Sequence, residues 1–237
     1  MSLYTLADTH LSLSVNKPMD IFGARWKNHT EKISVLWNKT VTDADTVVIG
    51  GDISWGMTAG EAAEDLKFID ALNGKKILMR GNHDYWWSTL SKVNSLFGKE
   101  NITTVSLLQN NAIPCEGFVI CGTRGWYSDP QSNPRNNCDH EKIVARETAR
   151  LKLSLECASK LEGEKIAFMH FPPVFTDYVC RPLVDLLHEY GIKRCYYGHI
   201  HGSYALPPRT VFEGISFYIV SADYLDFRPK LIEHSNC

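Results

Sequence analysis

No C-x-x-C pair occurs anywhere in the 237 residues, although seven cysteines are present: Cys115, Cys121, Cys138, Cys157, Cys180, Cys195 and Cys237. An odd count without paired spacing argues against a disulfide scaffold and against a thiolate zinc knuckle. Several of these thiols sit in apolar stretches, where cysteine behaves as a small hydrophobe, so the reducing cytoplasm is the expected location. No apolar run approaches the ~18 residues of a spanning helix. Asp8 and His10 stand where a signal peptide needs apolar residues, so secretion is not expected. Excess charge is also missing: 25 Lys plus Arg face 27 Asp plus Glu, a formal net charge of −2. That balance provides no field to gather nucleic acid or an anionic membrane. Repeats, low-complexity tracts and linker-like shifts are absent too. The 44% hydrophobic and 22% charged content is that of a globular chain, read as one domain over residues 1–237.

What is present is an alternation of short β-rich runs and helical patterns. Leu3 to Ala7, Thr46 to Ile49, Lys76 to Met79, Phe118 to Cys121, Ile166 to Met169, Cys195 to Tyr197 and Ile215 to Val220 read as strands. Glu61 to Leu72 places Ala62, Leu66, Ile69 and Leu72 on one helical face, with Asn73-Gly74 as the stop. Ser88 to Phe97 repeats the device, with Leu90, Val93, Leu96 and Phe97 inward and Gly98 as terminator. A third helical pattern runs from about Glu141 to Leu161. Strands separated by helices predict an α/β fold. In such folds sites form where loops leave the carboxyl ends of the strands.

Chemistry-bearing residues gather at those ends. The first strand leads into Asp8-Thr9-His10, the second into Gly51-Asp52, and the third into Gly81-Asn82-His83-Asp84. The strand from Ile166 ends at His170, and the one from Cys195 ends in Gly198-His199-Ile200-His201. Five of the nine histidines fall in these turns, among carboxylates and a carboxamide that suit hard or borderline divalent ions. Each piece alone has a bland reading, such as a turn residue, an N-cap or a core histidine. The bland account needs all five to coincide at topologically equivalent places.

The order D-x-H, G-D, G-N-H-D, H, G-H-x-H resembles the calcineurin-like metallophosphoesterase family, and the match runs from Asp8 to His201. The resemblance implies two stacked mixed β-sheets flanked by helices, with a dinuclear metal centre at one edge. It implies Asp8, His10 and His201 as ligands of one ion, and Asn82, His170 and His199 as ligands of the other, with Asp52 bridging both. By the same resemblance His83 is the catalytic histidine that ligates no metal, and Asp84 is the acid that orients it. The bridging motif here reads Gly-Asp-Ile-Ser-Trp, which departs from the commoner G-D-x-x-D or G-D-x-x-G but spares every ligand. Two ions about 3.5–4 Å apart neutralise a phosphate ester and bring the pKa of a bound water toward ~7. No Cys or Ser is placed as a nucleophile, so direct attack by metal-bound hydroxide is expected. Nitrogen and oxygen donors suit Mn, Fe or Zn.

The expected substrate is a small phosphomonoester or phosphodiester. Arg124, in Gly122-Thr123-Arg124-Gly125-Trp126 after a strand, is a candidate for binding phosphate in bidentate fashion. The turn-rich segment Trp126 to Asn137 is a candidate lid. Trp55, Tyr85, Trp86 and Trp87 adjoin the motifs and are candidates for stacking or for packing. Other members of the superfamily act as nucleases or nucleotide-sugar pyrophosphohydrolases; the missing basic stripe weighs against a nuclease. A non-catalytic scaffold that kept only the fold should have lost ligands or the catalytic histidine, and none is lost.

Overall fold

The computed structural model describes residues 1–126 and 137–234. Its first half runs β1 (Leu3–Leu6), α1 (His29–Thr40), β2 (Thr46–Ile49), α2 (Ala59–Ala71), β3 (Lys75–Leu78), α3 (Leu90–Glu100) and β4 (Val105–Leu107). Then follow β5 (Ile113–Cys115), β6 (Phe118–Thr123), α4 (Asn137–Ser159), β7 (Glu164–Met169), β8 (Val174–Phe175) and β9 (Tyr178–Val179). The chain closes with α5 (Arg181–Glu189), β10 (Arg194–Tyr197), β11 (Arg209–Phe212), β12 (Ile215–Ile219) and β13 (Lys230–Ile232).

Two mixed sheets result. One has the order β13-β1-β2-β3-β4, parallel except for β13. The other has the order β11-β12-β10-β7-β6-β5, parallel at its centre with antiparallel edges β11 and β5. Side chains leave a strand on alternate faces, and the three apolar clusters follow that pleat. On β2, Val48 joins the cluster shared by both sheets, while Val47 and Ile49 pack with Trp37 and Leu66 from α1 and α2. On β7, Ile166 and Phe168 face the first sheet, and Ala167 and Met169 pack with Leu151 and Leu187 from α4 and α5. The layers are therefore helix, sheet, sheet, helix. Ala7 joins the sheets at one end: its N–H donates to Val220 O, and its carbonyl accepts from Ala222 N, each at 2.8 Å.

The predicted strands all form, within two residues at either end. Helix α2 carries the expected buried stripe, and its N-cap Thr58 accepts from Glu61 N while Glu61 Oε2 accepts from Met57 N, a variant of the capping box. Two expectations for α3 fail. The helix passes through Gly98 and ends at Asn101, which takes the left-handed conformation (φ 55°); asparagine tolerates that region, so glycine is not needed there. Leu90 is exposed, because it opens the helix ahead of the buried Val93, Leu96 and Phe97. Helices α1 and α5 were not expected, although α5 carries Pro182 in its first turn and a buried stripe of Leu183, Val184, Leu186 and Leu187. The buried face of α1 is only His29, Ile33 and Trp37, and α5 follows a cysteine rather than a capping side chain. Of the candidate lid, Trp126 to Asn137, residues 127–136 lie outside the described residues. Among the described residues no helix is long and apolar enough to cross a membrane.

Candidate metal centre

Five strand ends meet at one edge of the two sheets, and the backbone there is strained. Asp8 (φ 59°), His10 (φ 44°), Asp52 (φ 51°) and His199 (φ 68°) all occupy the left-handed region. A non-glycine residue held there costs about 1–3 kcal/mol, and such strain clusters at functional sites. Gly51 (φ 93°) is required by proximity as well, since a Cβ there would lie 2.7 Å from Gly81 N and 2.9 Å from His170 Nδ1.

The side chains form two groups, each with ligand atoms within 4.8 Å of one another: Asp8, His10 and His201, and Asp52, His170 and His199. Hydrogen bonds behind the rings aim them. His170 Nδ1 lies 3.1 Å from Gly50 O, and His201 Nδ1 lies 2.9 Å from Asp223 Oδ1, which turns both Nε2 atoms inward. His201 Nε2 and His10 Nε2 are then 3.3 Å apart. Asp52 Oδ2 sits between the groups, 3.8 Å from His10 Nε2 and 3.4 Å from His170 Nε2. Asn82 Oδ1 joins the second group at 2.7 Å from His170 Nε2. Asp8 accepts from His199 N at 2.9 Å, locking the first group to the second sheet.

Burial holds His10 and His199 at about 3, so both rings are neutral near pH 7, the form a cation ligand needs. Burial raises Asp8 to about 6 against the pull of His201 and His170. Burial also works against ionisation of Asp52, but the attraction and hydrogen bond of His170 outweigh it and hold that carboxyl below the ordinary range. His170 is the counterpart: burial opposes its charge, and the Asp52 and Asp8 carboxylates raise it to about 9. Converging imidazoles, two buried carboxylates and a carboxamide are a donor set that fits two borderline divalent ions, with the His170 proton to be given up when an ion binds.

A cleft of about 300 Å³ opens over both groups, lined by His10, Asp52, His199 and His201 together with Met19, Phe22, Trp26, Trp55 and His83. Trp55, the residue that ends the unusual bridging motif, stacks on His10 (centroids 4.9 Å apart, 22° between planes) and contacts His83 (4.5 Å). Trp86 and Trp87 are buried packing residues, whereas Tyr85 is exposed beside His83. Burial raises the Cys121 thiol to about 12 and pushes Cys195 higher still, so neither is a thiolate nucleophile.

Two expected roles change. Asp84 does not orient His83 among the described residues. Its carboxylate is fully buried and accepts from the N–H groups of Asp52, Ile53, Ser54 and Gly81 and from the Trp86 indole, at 2.8–3.3 Å. It braces the Asp52 loop against the Gly81 loop because it points inward while His83 points to the cleft. Among the described residues no carboxylate is hydrogen-bonded to the His83 ring, and burial pulls its imidazole below the ordinary range against the attraction of Asp52. Arg124 is not brought to the cleft: its guanidinium meets Glu147 at 3.4 Å in a separate cavity. One residue was missed. Asp223 holds His201 and also accepts from Gly202 N and the Tyr204 hydroxyl. The strand-end rule, applied to Ile215 to Val220, reaches it.

The family model described as calcineurin-like phosphoesterase matches residues 1–203. No curated protein matches the chain. Among solved structures, one similar fold is a protein of unknown function from Aquifex aeolicus, 18% identical with a TM-score of 0.51, covering 97% of this chain and 95% of that one. Another is a Thermus thermophilus protein, 9% identical with a TM-score of 0.53, covering 98% of this chain and 97% of that one. At these identities the likeness is one of fold.

Proposed function

This chain belongs to the calcineurin-like phosphoesterase family, and from that premise we propose that it is a metal-dependent phosphohydrolase cleaving a small phosphomonoester or phosphodiester. The observation that carries this reading is the position of Asp52. One carboxylate reaches toward His10 of one group and His170 of the other, as a bridge between two like cations requires. Asp8, His10 and His201 would hold one ion; Asn82, His170 and His199 would hold the second. When bound, such a pair supplies charge neutralisation for the phosphoryl oxygens and activation of water; manganese, iron or zinc suits the donors.

The chain's own groups account for the remainder. Trp55 and Trp26 wall one side of the cleft and limit water there. His83 stands on the same wall, with its backbone N–H on Asp52 Oδ1 at 2.7 Å, which fixes the loop that presents the ring. Its role is to donate a hydrogen bond or a proton to the leaving oxygen. Burial lowers its pKa, and a phosphate anion against the ring would raise it again. A reducing cytoplasm is consistent with the free thiols Cys115, Cys121, Cys157, Cys180 and Cys195.

Elemental analysis after loading, followed by turnover of p-nitrophenyl phosphate and bis-p-nitrophenyl phosphate, tests the reading. Two ions per chain and hydrolysis of at least one ester are expected. No turnover of either ester at full occupancy would overturn the small-ester reading.

A further inference from the structure

We propose that a second cavity, at the carboxyl ends of β3 and β6, binds a phosphate group through Arg80 and Arg124. The cavity holds about 100 Å³. A single water needs roughly 10–15 Å³ of such space, so there is room for one tetrahedral oxyanion but none for a nucleoside. Three guanidinium groups line it, from Arg80, Arg124 and Arg150, against one carboxylate, Glu147.

That carboxylate is already engaged. Glu147 is fully buried; its Oε2 accepts from the Thr123 hydroxyl at 2.7 Å, and its Oε1 accepts from Arg150 Nη1 at 2.7 Å and from Arg124 Nη2 at a long 3.4 Å. Among the described residues Arg80 makes no ion pair, and the Nε atoms of both Arg80 and Arg124 are buried without a hydrogen-bond partner. Buried donors on a charged group are rarely left unpaired unless a ligand completes them. The planar guanidinium fork matches an oxyanion in bidentate geometry, and the Gln109 and Ser88 side chains offer neutral partners on the same wall. Burial, and repulsion from Arg80, Arg150 and Arg146, also depress Arg124 despite Glu147, as expected of cations that await an anion.

The cavity is separate from the cleft but adjoins it. Arg80 directly precedes Gly81-Asn82. The Phe171 ring lies between Arg124 (6.0 Å) and His199 (4.4 Å). The phosphate therefore comes from one of two sources: a second phosphate on the substrate, or free inorganic phosphate. Only the first source rests on the hydrolase reading.

Calorimetric titration of metal-loaded protein with inorganic phosphate tests the proposal, with metal content measured alongside. Wild type should bind phosphate at the centre and at this cavity. Arg80→Gln and Arg124→Gln should each keep both metals and weaken one of the two sites on the order of tenfold or more, the worth of a charge-assisted bond. Arg80→Lys, which keeps charge but loses the fork, should fall between. Should Arg80→Gln fail to fold, the half-exposed Arg150→Gln reports on the same cavity. Equal stoichiometry and affinity in all variants would overturn the site. Comparing fructose 1,6-bisphosphate with fructose 6-phosphate identifies the source. A kcat/KM advantage for the bisphosphate that Arg80→Gln abolishes assigns the substrate's second phosphate; no advantage, with arginine-dependent binding intact, assigns free phosphate. Arginine-dependent binding without any ester turnover keeps this site and removes the hydrolase reading. Turnover with arginine-independent binding does the reverse.

Discussion

His83 and Asp84 are neighbours in sequence whose side chains serve opposite sides of the loop. His83 faces the cleft and has no place in either ligand group. His83→Ala should therefore keep both ions and lose about 10²–10⁴-fold in kcat, the usual worth of a positioned acid or base. The loss should shrink for p-nitrophenyl esters, whose leaving group needs little protonation. Metal stoichiometry and kcat on p-nitrophenyl and alkyl esters check this, and a lost ion would make His83 a ligand. Asp84 is instead an internal brace. Asp84→Asn should destabilise the fold by about 1–3 kcal/mol for each donor left without an acceptor, read as a lower urea midpoint in metal-free and metal-loaded protein alike. Asp223 reaches the candidate metal centre through His201, by its 2.9 Å hydrogen bond. Asp223→Ala should weaken metal affinity about 10–100-fold, as loss of a partner behind a metal-binding imidazole does. A competitive chelator titration measures it, and unchanged affinity would return Asp223 to holding the Tyr204 loop.

At the scale of elements, the junction of α2 and β3 depends on a buried lysine. Lys76 is fully buried, and its Nζ donates to Asp70 O, Leu72 O and Gly74 O at 2.6–2.9 Å. Those carbonyls belong to the end of α2 and its exit, where no intrahelical donor is available. Lys76→Met preserves length and apolar bulk but leaves the Leu72 and Gly74 carbonyls without that donor, while Asp70 O keeps the Thr104 hydroxyl at 3.2 Å. It should therefore lower stability by about 1–3 kcal/mol or more. The pH dependence has a definite sign. Burial lowers the Lys76 ammonium from 10.5 to about 8, so between those values the unfolded chain holds a proton that the folded chain has released. Stability from this group rises across that window, and the wild-type advantage over Lys76→Met in urea should widen from pH 8 to pH 10. A constant advantage would show the carbonyls keeping the ammonium charged.

In the molecule as a whole, the candidate centre is shared between the two sheets. Asp8, His10, Asp52 and Asn82 leave strands of the five-stranded sheet, whereas His170, His199 and His201 leave strands of the six-stranded one. Ions held there would clip the layers together and stabilise the folded state through linkage, by about 2.7 kcal/mol per site at 100 times Kd. At about 2–4 °C per kcal/mol for a chain of this size, chelation should lower Tm by roughly 5–11 °C per site, read by differential scanning calorimetry. An unchanged Tm would mean that the two groups do not hold ions together.

Sequence alone determined the central strands β1, β2, β3, β6, β7, β10 and β12, because their apolar β-branched runs are local, and pointed to the candidate ligands, because each follows a strand end that the runs reveal. The short strands β4, β5, β8, β9, β11 and β13 escaped it. Helix α1 escaped it, since its buried face is only His29, Ile33 and Trp37 and no side chain caps it. Helix α5 was legible in the helical stripe Leu183, Val184, Leu186 and Leu187 and in Pro182 of its first turn, but was not among the expected helices. Tertiary structure decided which way neighbouring side chains turn. Asp84 turns inward because five buried donors converge on it from loops 30–32 residues away and from its own turn, a convergence no local pattern encodes. Arg124 is likewise placed by Glu147, a residue 23 positions on in α4. Spacing along the chain says where a charged group leaves the backbone; only packing across the two sheets decides which partner it meets.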